Sequence, residues 1–237
     1  MSLCGLIATE KAKPSRKNVK QSKSKKDRKT SAWFQRHAND PHVKRAQREG
    51  KRSRAVFKLT EILDSNSIHI KKDAVIVDLG CAPGSWSEEL RNYIDSSGKI
   101  IGIDLLPLDP IRGVTIIQGD FDSLKGQEAL KQALDGRKVD LVVSDMAPEM
   151  SGHKLVDQMR MIGLNEMTLH FAKQYLRPDG DVLMKTFMGE GYDNFRRDMG
   201  KSFKRIKNIK PKASRKTSPE FFLLGLGMKV WSDTDEQ

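Results

Sequence analysis

A chain of 237 residues with 43 Lys and Arg against 31 Asp and Glu, net +12, has room for one large domain or two small ones and carries the charge of a protein that meets a polyanion. No apolar run approaches the roughly 18 residues that a membrane-spanning helix needs, which excludes an integral membrane protein. Two cysteines, Cys4 and Cys81, are too few for a disulfide framework and point to a reducing compartment, so the chain is expected to be cytoplasmic.

Charge and complexity divide the chain. Residues 1–60 hold eighteen Lys and Arg against four acids, and residues 196–216 hold ten against one, so the rest of the chain is net acidic. Two basic blocks flanking an acidic body predict one nucleic-acid surface made from both ends of the chain. Residues 1–30 are rich in Lys and Ser and too poor in apolar groups to offset their ordering entropy, so a disordered basic arm is expected there. In the opening MSLCGLIATE the charges follow the apolar stretch, the reverse of a secretory signal. Residues 31–237 read as a single domain.

In chain order, SAWFQRHANDPHVKRAQREG and SRAVFKLTEILDSN predict helices, the second with Val56, Leu59, Ile62 and Leu63 at helical spacing. Trp33 and Phe34 anchor the first to the core more readily than they stack on bases. A strand–helix alternation follows: strand 74–80, helix WSEELRNYID, strands 99–104 and 113–120, helix SLKGQEALKQALD, strand 139–145, and a long helix over 155–176. That helix is stopped by a turn at Pro178–Gly180, then come strand 181–187, the short helix NFRRDMGKSF, and the closing strands FKRIKNIK and EFFLLGLGMK. Apolar strands alternating with helices predict an α/β fold, an open and mostly parallel sheet with helices on both faces. The last two strands lack a helix between them, so one must run antiparallel to its neighbours.

Ligands of such sheets bind beyond the carboxyl ends of the strands. The first strand runs into DLGCAPGSW, where Gly80 and Gly84 permit tight turns; the loop is not GxGxxG, which weakens a dinucleotide reading and an oxidoreductase with it. Trp86 either covers a ligand or caps the core. The second strand ends at Asp104, placed to accept hydrogen bonds from ribose hydroxyls. The third ends at Asp120 and the fourth at Asp145, and three carboxylates at strand ends suggest a polar ligand with several donors. Lys185 interrupts an apolar strand; burying it without partners is costly, so it is paired with a carboxylate or serves as a catalytic amine. The five histidines (His37, His42, His69, His153, His170) are scattered and no cluster has metal-ligand spacing, so no metal is expected.

The segments RSRAVFKL, DLGCAPGSWS, IDLLPLDP, QGDF, SDMAPEMSG, VLMKTFMGEG and SRKTSPEFFLLG, in this order over about residues 31–228, closely resemble the RrmJ/FtsJ family. These are S-adenosylmethionine-dependent 2′-O-ribose methyltransferases of large-subunit ribosomal RNA. The resemblance implies a Rossmann-like methyltransferase fold whose sheet closes on an antiparallel strand. It implies a catalytic Lys–Asp–Lys–Glu set at Lys58, Asp145, Lys185 and Glu220, and cofactor contacts from Gly84, Trp86, Asp104, Asp120 and Asp145. The family commonly has a double glycine before the tryptophan, where this chain has Gly84 and Ser85.

A ribose hydroxyl is a poor nucleophile at neutral pH and needs a positioned base or a cation for the forming alkoxide. Lys185 is expected to accept the 2′-hydroxyl proton or to hold the developing oxyanion, with Asp145 orienting it and Lys58 and Glu220 positioning the ribose and the amine. The implied substrate is a uridine ribose of large-subunit rRNA within the ribosomal subunit, and the protein is expected to act as a monomer. The alternatives are the same chemistry on tRNA, or an RNA-binding ribosome-assembly factor without turnover. The basic blocks are expected to border the site, with Arg52 and Arg54 as phosphate contacts.

Overall fold

The structure is a computed structural model, and it describes residues 39–65, 68–215 and 218–230. The arm expected over residues 1–30, Trp33 and Phe34 lie outside the described residues. Helices α1 (Pro41–Arg48) and α2 (Val56–Asp64) come first. The alternating unit follows: β1 (Val75–Leu79), α3 (Ser85–Leu90), β2 (Lys99–Asp104), β3 (Val114–Gln118), α4 (Leu124–Leu134), β4 (Val139–Ser144) and α5 (Lys154–Tyr175). It closes with β5 (Leu176–Phe187), α6 (Tyr192–Ser202), β6 (Phe203–Ile209) and β7 (Glu220–Met228).

The seven strands form one sheet in the order β3-β2-β1-β4-β5-β7-β6. All neighbouring pairs are parallel except those of β7, which is antiparallel to both β5 and β6. The expected antiparallel strand is therefore β7, inserted between its sequence predecessor β6 and the rest. Every residue of β1 is buried, as a central parallel strand covered on both faces requires. The edge strand β6 exposes Lys204 and Arg205, charges that discourage pairing with another chain.

Alternation along the strands feeds two cores. Val77, Val142, Val182 and Leu223 face α4, α5 and α6, while Ile76, Val143, Leu183 and Phe222 face α2 and α3. Asp40 starts α1 from its N-cap position, where its Oδ1 accepts the His42 amide at 3.0 Å ahead of Pro41 in the first turn.

The helix expected over 155–176 ends at Tyr175, and β5 begins at once. Leu176 pairs with Val139, and the next matched pair is Asp181 with Leu141, so Arg177–Gly180 bulges out of the strand instead of forming a turn before it. Pro178 has no amide for the ladder and Asp179 is left-handed (φ 63°), while Leu176 keeps the ladder because its side chain is buried. Among the described residues no helix is long and apolar enough to cross a membrane.

Candidate active site

Strand register assembles the chemistry. Ser144 at the end of β4 pairs with Met184, which sets the next residues, Asp145 and Lys185, side by side. On its other side β5 pairs Lys185 with Phe222 and Phe187 with Glu220. Directly paired residues share a face, so Lys185 and Glu220 are diagonal neighbours on the face covered by α2. Lys58 comes down from α2, its Nζ 5.7 Å from the centre of the Phe222 ring.

The result is two largely buried lysine–carboxylate pairs. Lys58 Nζ donates to Glu220 Oε1 at 2.6 Å, with the side chains 11% and 15% exposed. Lys185 Nζ lies 2.7 Å from Asp145 Oδ1 and donates to the Asp145 carbonyl at 2.6 Å, the side chains 8% and 21% exposed. Burial pushes the Glu220 carboxyl up, but Lys58 and Lys185 outweigh it and, with a hydrogen bond from Ser214, hold it below the ordinary carboxylate range. Sequence reasoning named these four residues, and the structure brings all four together.

A fifth residue, Asn165 on α5, carried no sequence signal. Its Nδ2 donates to the Lys185 carbonyl at 2.7 Å, next to the point where the β4–β5 ladder ends. A buried side chain thereby satisfies a carbonyl that has run out of strand partners.

A pocket of about 390 Å³ opens beside this cluster, walled by Gly80, Asp104, Leu106, Asp120, Asp145 and Met146 among others. Asp104 ties its two loops together: Oδ2 accepts the Ala82 amide and Oδ1 the Leu106 amide, each at 2.8 Å. Gly80 is left-handed (φ 74°), and a Cβ there would lie 2.4 Å from Met146 Cγ, so the loop passes too close to the β4 end for a side chain.

Two residues expected at the cofactor do not line this pocket. Gly84 opens α3 in a left-handed conformation and packs against Ile111 and Leu108, outside the pocket wall. Trp86 is 2% exposed; its indole donates to the Ala55 carbonyl at 2.9 Å and its ring packs on Phe222, so it buttresses the entrance to α2 from the core. Arg54 donates to Asp40 and to the Ala213 carbonyl, and Arg52 is bonded to protein acceptors as well.

Asp78, an acid inside the apolar run VIVDL, was passed over although its type was the signal. It is 1% exposed, accepts from Ser87 Oγ at 2.7 Å, and burial pushes it up to about 7. Burial likewise pushes the neighbouring Cys81 thiol up.

The model of the FtsJ-like methyltransferase family matches residues 51–228. The chain belongs to this family. Among curated proteins it is 47% identical to ribosomal RNA large subunit methyltransferase E of Janthinobacterium sp. over 203 residues, 83% of this chain and 94% of that protein. Among solved structures it is similar to a Plasmodium falciparum protein described as a ribosomal RNA methyltransferase, at 32% identity and a TM-score of 0.66, covering 75% of this chain and 98% of that one. The fold is also that of Aeropyrum pernix fibrillarin, solved with natively bound S-adenosylmethionine, at 18% identity, a TM-score of 0.52 and coverage of 72% and 76%.

As an FtsJ-like methyltransferase, the chain is an enzyme whose methyl donor is S-adenosylmethionine. The 390 Å³ pocket fits such a molecule: it is of small-molecule size, Leu105, Leu106, Met146 and Met167 offer apolar surface for a base, and Asp104 and Asp120 offer carboxylate oxygens to hydroxyl or amine donors.

Proposed function

We propose that this enzyme methylates the 2′-oxygen of a uridine ribose in large-subunit ribosomal RNA. One observation carries the reading: Asp145 belongs both to the wall of the 390 Å³ pocket and to the ion pair with Lys185, so the methyl donor's pocket and the buried amine share a boundary. The family relatives named for the large ribosomal subunit support the substrate.

When bound, S-adenosylmethionine supplies a methyl group already activated on a sulfonium. The protein's part is orientation and proton management. The Asp145 carboxylate and carbonyl occupy two directions around Lys185 Nζ and fix its position, leaving a third for the substrate oxygen. To take up a proton there, Lys185 must be neutral at the moment of transfer. When the methyl donor is bound, the ribose oxygen would take the methyl group as its bond to the sulfonium sulfur breaks, and Lys185 would accept the hydroxyl proton. The Lys58–Glu220 pair sets the far wall, where Lys58 orients the ribose and Glu220 balances both lysines. Asp104 and Asp120 receive the cofactor's polar groups, while Gly84 and Trp86 act indirectly, by setting the start of α3 and the entrance to α2. The described basic residues beside Lys58 and Glu220 take RNA phosphates near the target nucleotide, and the enzyme works as a cytoplasmic monomer.

The test is methyl transfer from labelled S-adenosylmethionine to intact large subunits, naked rRNA and tRNA in parallel, with the product mapped. Labelling at one uridine 2′-oxygen of the subunit is expected. Labelling of tRNA alone overturns the substrate, and labelling of none returns the chain to the role of an RNA-binding assembly factor.

A further inference from the structure

Arg52 lies in the stretch between α1 and α2, within the first basic block, where a phosphate contact is the obvious reading. Its guanidinium is committed elsewhere. Nη1 donates to the Pro83 carbonyl at 3.3 Å and to the Asp109 carbonyl at 3.2 Å, Nη2 donates to the Pro110 carbonyl at 3.2 Å, and Nε donates to Glu88 at 3.3 Å. The acceptors stand on two loops. Pro83 belongs to the β1–α3 loop, which supplies Gly80 and Ala82 to the pocket; Asp109 and Pro110 belong to the β2–β3 loop, which supplies Leu105 and Leu106.

Those are the two loops that Asp104 ties together at their inner ends. A second tie at their outer ends, made from a segment that leads straight into α2 and Lys58, holds both walls to the catalytic helix. We infer that Arg52 is a positioning residue: it staples the two loops of the S-adenosylmethionine pocket to the segment carrying Lys58, and is not chiefly a phosphate contact. The inference rests on the assignment of that pocket to the methyl donor.

The planar fork of arginine is what the arrangement uses. It reaches three carbonyls in fixed directions, which the single ammonium of lysine cannot do. Without it the loops sample open arrangements, and the apparent affinity for the cofactor falls by the fraction of time they are closed. Closure for one-tenth of the time corresponds to a loss of about tenfold.

The experiment measures binding of S-adenosylmethionine by calorimetry, and RNA binding with its salt dependence at saturating cofactor, for wild type, Arg52→Met, Arg52→Lys, Glu88→Gln and Asp104→Ala. Cooperative thermal unfolding selects folded variants, and Arg52→Lys stands in if Arg52→Met does not fold. Arg52→Met is expected to weaken the cofactor by about tenfold or more with an unchanged RNA salt slope, and Arg52→Lys to fall between it and wild type. An unchanged cofactor affinity with a salt slope reduced by about one makes Arg52 a phosphate contact and overturns the inference. An equal loss in Glu88→Gln places the effect in the ion pair and overturns it too. If Asp104→Ala binds the cofactor as wild type does, the pocket assignment fails and the staple with it; if Asp104→Ala is weakened and Arg52→Met is not, only the staple fails.

Discussion

Replacing Lys185 separates the two things a buried amine can do for a ribose hydroxyl, accepting its proton or holding the oxyanion that forms. Its Nζ sits 2.7 Å from Asp145 Oδ1 and 2.6 Å from the Asp145 carbonyl, in a side chain 8% exposed, so water is poorly placed to substitute for it. Lys185→Met keeps the length and the packing and removes the amine. A positioned base contributes on the order of 10²–10⁴-fold, about 2.7–5.5 kcal/mol of barrier. Methyl transfer in a single turnover at saturating cofactor and RNA should fall by that amount. Lys185→Arg keeps the positive charge but cannot take up a proton. If Lys185 is the proton acceptor, the arginine variant is as slow as the methionine variant; if it only holds the oxyanion, the arginine variant retains most of the rate. S-adenosylmethionine affinity, measured separately, should stay within about threefold, or roughly 0.6 kcal/mol, because Lys185 reaches the pocket only through Asp145. An arginine variant within tenfold of wild type would refute proton acceptance, and a large loss of cofactor binding in the methionine variant would refute the division of labour itself.

The Glu220 carboxyl lies below its ordinary value of 4.5 in the folded protein, so it stabilises the fold above that value and the contribution is lost as the pH falls through the folded-state value. The wild-type advantage over Glu220→Gln in urea unfolding should therefore be constant near neutrality and shrink below about pH 4.5; an advantage that grows on acidification contradicts the pairing with Lys58. Gly80→Ala forces a side chain into a left-handed conformation against Met146, and should cost about 1–2 kcal/mol in unfolding free energy and weaken cofactor binding as Met146 is displaced. An alanine variant with wild-type stability and affinity would show that the loop has room to move. Deleting residues 1–30 should weaken RNA binding and flatten its salt dependence while leaving thermal unfolding unchanged, and an unaltered salt slope would make the arm a bystander.

What could be read from the sequence was residue type at strand ends. Lys185 stood out because a charge in the run VLMKTF has no cheap place in a central strand, and Asp145 because it closes VDLVVS at the rim where α/β sheets bind ligands. Lys58 and Glu220 came from the family resemblance alone, since a pair 162 residues apart is made by tertiary structure and no local pattern signals it. Trp86 was ambiguous for a physical reason. An aromatic residue at the start of a helix can turn to a ligand or to the core, and here the Ala55 carbonyl at the entrance to α2, which also accepts the Lys58 amide, supplies the partner that the indole N–H needs when buried. The bonding of Arg52 could not be read because charge is visible in a sequence and acceptors are not: three of its partners are main-chain carbonyls, which leave no trace in residue type. The bulge at Arg177–Gly180 was hidden likewise, because Pro178 and Gly180 announce an interruption without saying whether the ladder resumes before or after it.

The direction of β7 explains why Glu220 can serve at all. It is the first residue of a nine-residue strand, and every strand preceding β7 runs with its carboxyl end at the site. A parallel β7 would begin at the opposite edge of the sheet, its first residue roughly 27 Å from its last at the rise of an extended chain. Running antiparallel between β5 and β6, it starts where the others finish and delivers Glu220 beside Lys185 in the same step that completes the sheet. The loop before it, anchored by the Ala213 carbonyl to Arg54 and by Ser214 to Glu220, arrives from the second basic block. The reversal of one strand thus places a carboxylate and a basic segment at the edge where Lys185 and Asp145 meet, which is the pairing of charges that a buried lysine and a phosphate-bearing substrate would each require.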